Sequence, residues 1–192
     1  MTFLNRLFAL LVLSTTLLTA QAVPALKAGV FEPPRQAPEF ALRGSDGAEL
    51  TLARYRGKVV LMSFGFTHCA AVCPTTLATL AQARQALGPQ ASAVQVVFVT
   101  VDPERDDPLK LKTYLAAFDP SFVGGAGQPE LLAAMRKNYG IVANKVPMTG
   151  GYAVDHTSSI FLIDRDGKLR AMMPYGRDAK DYVHDIKLLL AQ

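Results

Sequence analysis

The stretch Val59-Val60-Leu61-Met62-Ser63-Phe64-Gly65-Phe66-Thr67-His68-Cys69-Ala70-Ala71-Val72-Cys73-Pro74 decides how this chain is read. Its first half is a continuous apolar run, the pattern of a strand buried on both faces of a sheet. Its end opens a helix: Pro74 suits a first helical position. Leu77, Leu80, Ala81 and Leu87 then form one stripe up to the Gly88-Pro89 stop. Between strand and helix stand the chain's 2 cysteines. Open α/β sheets place ligand sites at the carboxyl ends of strands, which is where this pair falls. With Cys73 near the N-cap and Cys69 in the loop before it, backbone N–H groups and the helix dipole favour anionic sulfur. Both thiols are therefore expected to have a lowered pKa.

Working outward, Val94 to Val101 reads as a second buried strand. Pro108 to Phe118 is a helix carrying Leu111, Tyr114, Leu115 and Phe118 on one face, and Pro129 to Tyr139 is a third helix. Ile141 to Val146 and Tyr152 to Val154 are short strands around Gly150-Gly151. Ser159 to Ile163 and Leu169 to Met173 form a hairpin, and Asp178 to Leu190 is the last helix. On the N-terminal side, Phe40-Ala41-Leu42 and Leu50-Thr51-Leu52 flank a turn at Ser45-Asp46-Gly47, an N-terminal β-hairpin. A βαβ unit followed by a helix, a hairpin and a final helix gives an α/β fold. Its mixed central sheet carries helices on both faces, a thioredoxin-like order of elements.

Composition sets limits on both ends of this reading. A chain of 192 residues, half of them apolar and 19% charged, buries an ordinary core and is no disordered tail. Two cysteines exclude a disulfide scaffold and a four-thiol zinc site. A net charge of +4, spread along the chain with no concentrated basic face, argues against nucleic acid. Residues 1–22 carry Arg6, an uncharged run from Leu7 to Ala20 shorter than the ~20 residues a spanning helix needs, and the small-residue order Ala20-Gln21-Ala22. They read as a signal peptide, with an uncleaved membrane anchor as the other reading. Residues 23–38, with Pro24, Pro33, Pro34 and Pro38, read as a tether or leader strand before a single domain at 39–192. Either leader places that domain outside the cytoplasm, where a disulfide can form.

The chemistry turns on spacing. Thioredoxin-type redox motifs hold two residues between their cysteines; Cys69 and Cys73 hold three. That loop still allows a disulfide, but its wider bite also fits one ion between two thiolates. Soft thiolates with an imidazole select copper over hard cations. The chain's 3 histidines are unequal candidates for the third ligand. His184 sits mid-helix and reads as a surface or capping residue. His68 adjoins Cys69 and neighbours rarely reach one ion together, so it tunes the loop. His156, before the Ser159–Ile163 strand, falls where that loop abuts the cysteine-bearing helix in a thioredoxin-like fold.

Three motifs in order resemble the Sco/SenC family over about residues 35–190. They are Thr67-x-Cys69-x-x-x-Cys73-Pro74, then Val101-Asp102-Pro103-Glu104-Arg105-Asp106, then Val154-Asp155-His156-Thr157-Ser158 leading into Ile160-Phe161-Leu162-Ile163-Asp164. The resemblance implies a membrane-facing, periplasmic or extracytoplasmic copper-binding protein with a thioredoxin-like fold and Cys69, Cys73 and His156 as the copper ligands. It further implies that the protein delivers copper to the dinuclear centre of cytochrome c oxidase subunit II, or keeps that centre's cysteines reduced. Where the family usually has Pro-Asp-Val between the cysteines, this chain has Ala70-Ala71-Val72 and so lacks a nearby carboxylate.

Two functions of different class follow. A copper chaperone would hold the metal on Cys69, Cys73 and His156 and pass it on by ligand exchange. A thiol–disulfide oxidoreductase would attack with Cys69 and resolve with Cys73, and would not need His156. A peroxiredoxin-like peroxidase ranks below both, because Thr67 stands two residues before Cys69 rather than three. Asp102 and Arg105 follow the second buried strand, and read either as shapers of the metal loop or as a turn, cap and local ion pair. Met62, Met135, Met148, Met172 and Met173 are dispersed in apolar runs and read as core. A monomer is expected.

Overall fold

The apolar run that opens the reading is strand β4 (Val59–Gly65), buried at every position. In the computed structural model, which describes residues 25–192, it pairs in parallel with β5 (Val94–Thr100), from Val59 opposite Val94 to Gly65 opposite Thr100. The helix expected after it is α1 (Val72–Leu87). The leader reading of residues 1–22 lies outside the described residues. Among those described, no helix is long and apolar enough to cross a membrane.

Eight strands build the main sheet. Besides β4 and β5 they are β1 (Gly29–Gln36), β2 (Ala41–Gly44), β3 (Glu49–Thr51), β6 (Val123–Ala126), β9 (Ile160–Ile163) and β10 (Lys168–Met173), in the order β1-β10-β9-β4-β5-β6-β2-β3. The three parallel strands β4, β5 and β6 end at one edge, while β9 runs antiparallel to β4. Of the two readings of the Pro-rich segment, the strand is observed: β1 pairs with β10 in the same sheet as the rest of the domain. Two further strands, β7 (Ala143–Met148) and β8 (Gly151–His156), pair with each other as a separate hairpin.

Strand alternation sorts the helices onto two faces. Gly65 and Phe98 face α1, and Gly124 faces Leu111 and Leu115 of α2 (Pro108–Ala116). The last helix, α4 (Ala179–Leu190), packs beside α1. On the opposite face, Phe64 meets Tyr139 of α3 (Pro129–Tyr139) at a ring separation of 5.8 Å, and Tyr139 meets Phe161 at 5.3 Å. Leu61, Leu77, Leu80, Leu111, Leu115, Leu132 and Ile186 are wholly buried. Each such side chain contributes about 1.5–3 kcal/mol of transfer free energy. The fold is thioredoxin-like, with helices on both faces.

Strand β6 is absent from the pattern reading because Gly124 and Gly125 interrupt it. The glycines are there for space. A Cβ on Gly124 would lie 2.7 Å from Leu111 Cβ, and one on Gly125 2.7 Å from Leu50 Cδ2. Helix α1 also begins earlier than the Pro74 signal suggests. Ala71 takes the N-cap position, and Cys73 lies inside the first turn.

Candidate metal centre

The site is assembled where β4 gives way to α1. Ala71 has no side chain with which to cap the helix. The Cys69 sulfur takes that place: the Cys73 amide donates to Cys69 Sγ at 3.3 Å. One orphan N–H of the helix start is thus aimed at a sulfur, and the partial positive charge of the helix end falls on Cys69. Both cysteines are free thiols, Cys69 half-buried and Cys73 buried. The expected lowering fails at Cys73. Burial pushes its thiol well above the ordinary range, helped by its hydrogen bond with Cys69 and outweighing the Phe66 backbone contact that lowers it. The dipole argument assumed a solvated sulfur at the helix tip, whereas this one is sunk beneath the first turn.

Gly65 makes that depth possible. A Cβ there would lie 2.8 Å from Cys73 Sγ and 2.6 Å from two carbons of the Phe98 ring. The sulfur rests directly on the glycine backbone.

His156 is the last residue of β8, opposite Ala143, rather than a loop residue. Its Nδ1 lies 2.9 Å from the Thr157 carbonyl oxygen. A carbonyl accepts only, so Nδ1 carries a proton, and in the neutral imidazole Nε2 is the nitrogen with the free lone pair. That Nε2 lies 3.8 Å from Cys73 Sγ, across 83 residues of chain. With thiolate and imidazole bonds of about 2.3 and 2.0 Å to a d10 ion, a trigonal angle separates sulfur and nitrogen by about 3.7 Å. The pair therefore has the bite of a three-coordinate centre. Among the described residues, no three His, Cys, Asp or Glu side chains already enclose one point. The Cys69 sulfur is engaged on the helix amide.

The loop bearing Cys69 is held from below by Asp106, which the motif reading quoted without a role. Its buried carboxylate accepts from Thr67 N at 3.0 Å, Thr67 Oγ1 at 2.6 Å and Thr100 Oγ1 at 2.8 Å. This supplies a carboxylate beside the loop, in a chain that has none between its cysteines. Asp102 and Arg105 form a local ion pair, one of the two readings of these residues, and Arg105 also reaches the backbone of β8. His68 is exposed and bonded to its neighbour Thr67, and His184 pairs with Asp185 on α4. Met62, Met135 and Met173 are core, as expected. Met148 and Met172 are not: both are exposed, Met148 at the end of β7 and Met172 on the solvent side of β10, between buried Ala171 and Met173.

Residues 31–191 match the SCO1/SenC family model. The chain belongs to that family. It is similar to ScoI of Bradyrhizobium japonicum, solved with copper bound, at 38% identity and a TM-score of 0.75, covering 81% of this chain and 99% of that one. It is also similar to apo Sco1 of Thermus thermophilus, at 36% identity and a TM-score of 0.78, covering 88% of this chain and 100% of that one. Among curated proteins it is 36% identical over 157 residues to the mitochondrial SCO2 homolog of Mus musculus. That match covers 80% of this chain but 62% of the mouse protein.

Proposed function

We propose that the chain is an extracytoplasmic copper-binding protein that holds one copper ion on Cys69, Cys73 and His156. It then passes the ion by ligand exchange to the dinuclear copper centre of cytochrome c oxidase subunit II. The observation that carries this reading is the meeting of Cys73 Sγ with Nε2 of His156 at 3.8 Å, while Nδ1 faces the Thr157 carbonyl. A dithiol reductase has no use for that imidazole. Two sulfurs and one nitrogen form a soft donor set suited to Cu(I), and a site with three protein ligands leaves room for an acceptor's ligand to enter. ScoI, the similar Bradyrhizobium protein, was solved with copper bound. A signal peptide at residues 1–22 would deliver the domain to the outer side of a membrane, and the same residues left uncleaved would anchor it there.

A second reading has its own supporting observation. A half-buried Cys69 beside a buried Cys73 is the arrangement of an attacking and a resolving thiol, so the protein could instead reduce the acceptor's cysteines. Copper titration of the reduced protein separates the two. Wild type is expected to bind one copper tightly, with Cys69→Ser and His156→Ala each weaker by at least tenfold. Catalytic disulfide reduction by His156→Ala at the wild-type rate, with copper binding equal in all three proteins, would establish the reductase instead.

A further inference from the structure

The hairpin that ends in His156 shares no strand pairing with the main sheet. The Val142–Thr157 pair, with Thr157 N donating to Val142 O at 3.0 Å and Val142 N to Thr157 Oγ1 at 3.2 Å, closes the base of the hairpin itself, and Val154 is its one buried apolar anchor in the core. Strand β7 is exposed over nearly its whole length, so little apolar burial holds it down. Sheet geometry alone therefore does not determine where His156 Nε2 sits.

A row of stacked side chains does. Arg105, in the loop between β5 and α2, lies with its Cζ 3.9 Å from the centroid of the Tyr152 ring and donates from Nη1 to the Tyr152 carbonyl at 3.0 Å. Its Nε pairs with buried Asp102. The Tyr152 hydroxyl returns to the same carboxylate, donating to Asp102 Oδ1 at 2.7 Å. Lys145 of β7 lies 4.4 Å from the same ring and pairs with Glu104 at 2.5 Å. Arg105 Cζ is also 5.7 Å from the Phe66 ring, and Phe66 meets the His156 imidazole edge-on at 5.9 Å. The remaining guanidinium nitrogen, Nη2, is buried without a hydrogen-bond partner, so the group is held by its Nε and Nη1 bonds and by its stacked faces. The row thus runs Lys145, Tyr152, Arg105, Phe66, His156, from the hairpin through the β5–α2 loop to the metal-facing imidazole.

We infer that Arg105 and Tyr152 are positioning residues of the metal centre. They latch the β7–β8 hairpin to the β5–α2 loop and thereby set the reach of His156 Nε2 toward the cysteine sulfurs. The inference rests on the copper-site reading above. Arg105 has no lone pair to offer a metal, so it acts through His156 alone. The latch uses the planar fork and stacking face that arginine has and lysine lacks. Released, the hairpin is held only by its two chain connections and the burial of Val154, and the centre falls back to its two sulfurs.

The test is a double-mutant cycle on the reduced full chain. Cu(I) affinity is read by chelator competition, and nitrogen ligation by hyperfine structure in the Cu(II) electron paramagnetic resonance spectrum. Arg105→Ala and Tyr152→Leu are expected to weaken binding by about tenfold or more and to lose the nitrogen signature, as outer partners of metal ligands do. Tyr152→Phe, which keeps the ring, restores most of the affinity, whereas Arg105→Lys does not restore it. On a His156→Ala background the same substitutions change nothing further. Losses of equal size on both backgrounds, or wild-type affinity in Arg105→Ala, overturn the latch. Should Arg105→Ala fail to fold, Tyr152→Leu on the outlying hairpin carries the cycle. Wild type and His156→Ala binding copper alike would overturn the site reading itself, and the latch with it.

Discussion

Replacing Gly65 by alanine adds one methyl group at the point where strand, ring and sulfur converge. That methyl would stand 2.6 Å from Phe98 Cε2 and Cζ and 2.8 Å from Cys73 Sγ. Comfortable contacts there are about 3.5–4.0 Å, so roughly 1 Å of overlap must be relieved. Phe98 is 1% exposed and packed against Tyr114, with ring centroids 6.1 Å apart, and has nowhere to go. Cys73, in the first turn of a helix, is the group that yields. Overpacking of this kind costs about 1–3 kcal/mol of stability. A sulfur displaced by most of an ångström no longer keeps its 3.8 Å separation from His156 Nε2. Copper affinity is then expected to fall by about tenfold or more, the equivalent of about 1.4 kcal/mol. Denaturant unfolding of the metal-free and copper-loaded forms reads both effects, because a bound ligand stabilises the fold according to its affinity. The variant should show a lower midpoint without metal and a smaller increment with it. Wild-type midpoints in both states would refute the claim that Cys73 rests on Gly65.

Asp106→Asn keeps one acceptor oxygen but turns an amide N–H toward a group that itself donates. A loss of about 1.5–3 kcal/mol is expected, with faster alkylation of Cys69 as its loop loosens; unchanged unfolding and unchanged thiol reactivity contradict the role given to Asp106. Burial holds the Cys73 thiol protonated, so copper displaces its proton and affinity rises with pH, by up to about tenfold per unit per proton released. The same raised pKa stabilises the metal-free fold fully below the unfolded thiol's pKa of about 8.5, and that contribution is lost as pH rises from there toward the folded value. Proton release on copper addition in weakly buffered solution checks the first effect, and unfolding midpoints between pH 7 and 10 check the second; copper affinity independent of pH contradicts the assignment. His68→Ala and His184→Ala should bind copper as wild type does, and a tenfold loss in either would move the third ligand away from His156.

Much of the site was legible in one dimension because its parts announce themselves locally. An apolar run buried on both faces, two cysteines and a Pro74 helix signal place the dithiol at the carboxyl end of β4 without any structure. His156 stood out because histidines are few and its motif precedes a recognisable strand. What stayed hidden depends on contacts across the fold. Glycines read as breaks, yet Gly124 and Gly125 are a strand made thin so that Leu111 and Leu50 can close on it. Ala71 carries no capping signal, and the cap came from the Cys69 sulfur instead. The Cys73 pKa went the wrong way because helix position is visible in a sequence and depth is not. Arg105 meets the Tyr152 carbonyl across 47 residues, a distance over which neither residue hints at the other.

X-ray absorption at the copper edge of the loaded, reduced protein tests the central claim most directly. Two sulfurs at about 2.3 Å and one nitrogen at about 2.0 Å per copper are predicted, with the nitrogen lost in His156→Ala and one sulfur lost in Cys69→Ser. A two-sulfur shell that is identical in wild type and His156→Ala would contradict it.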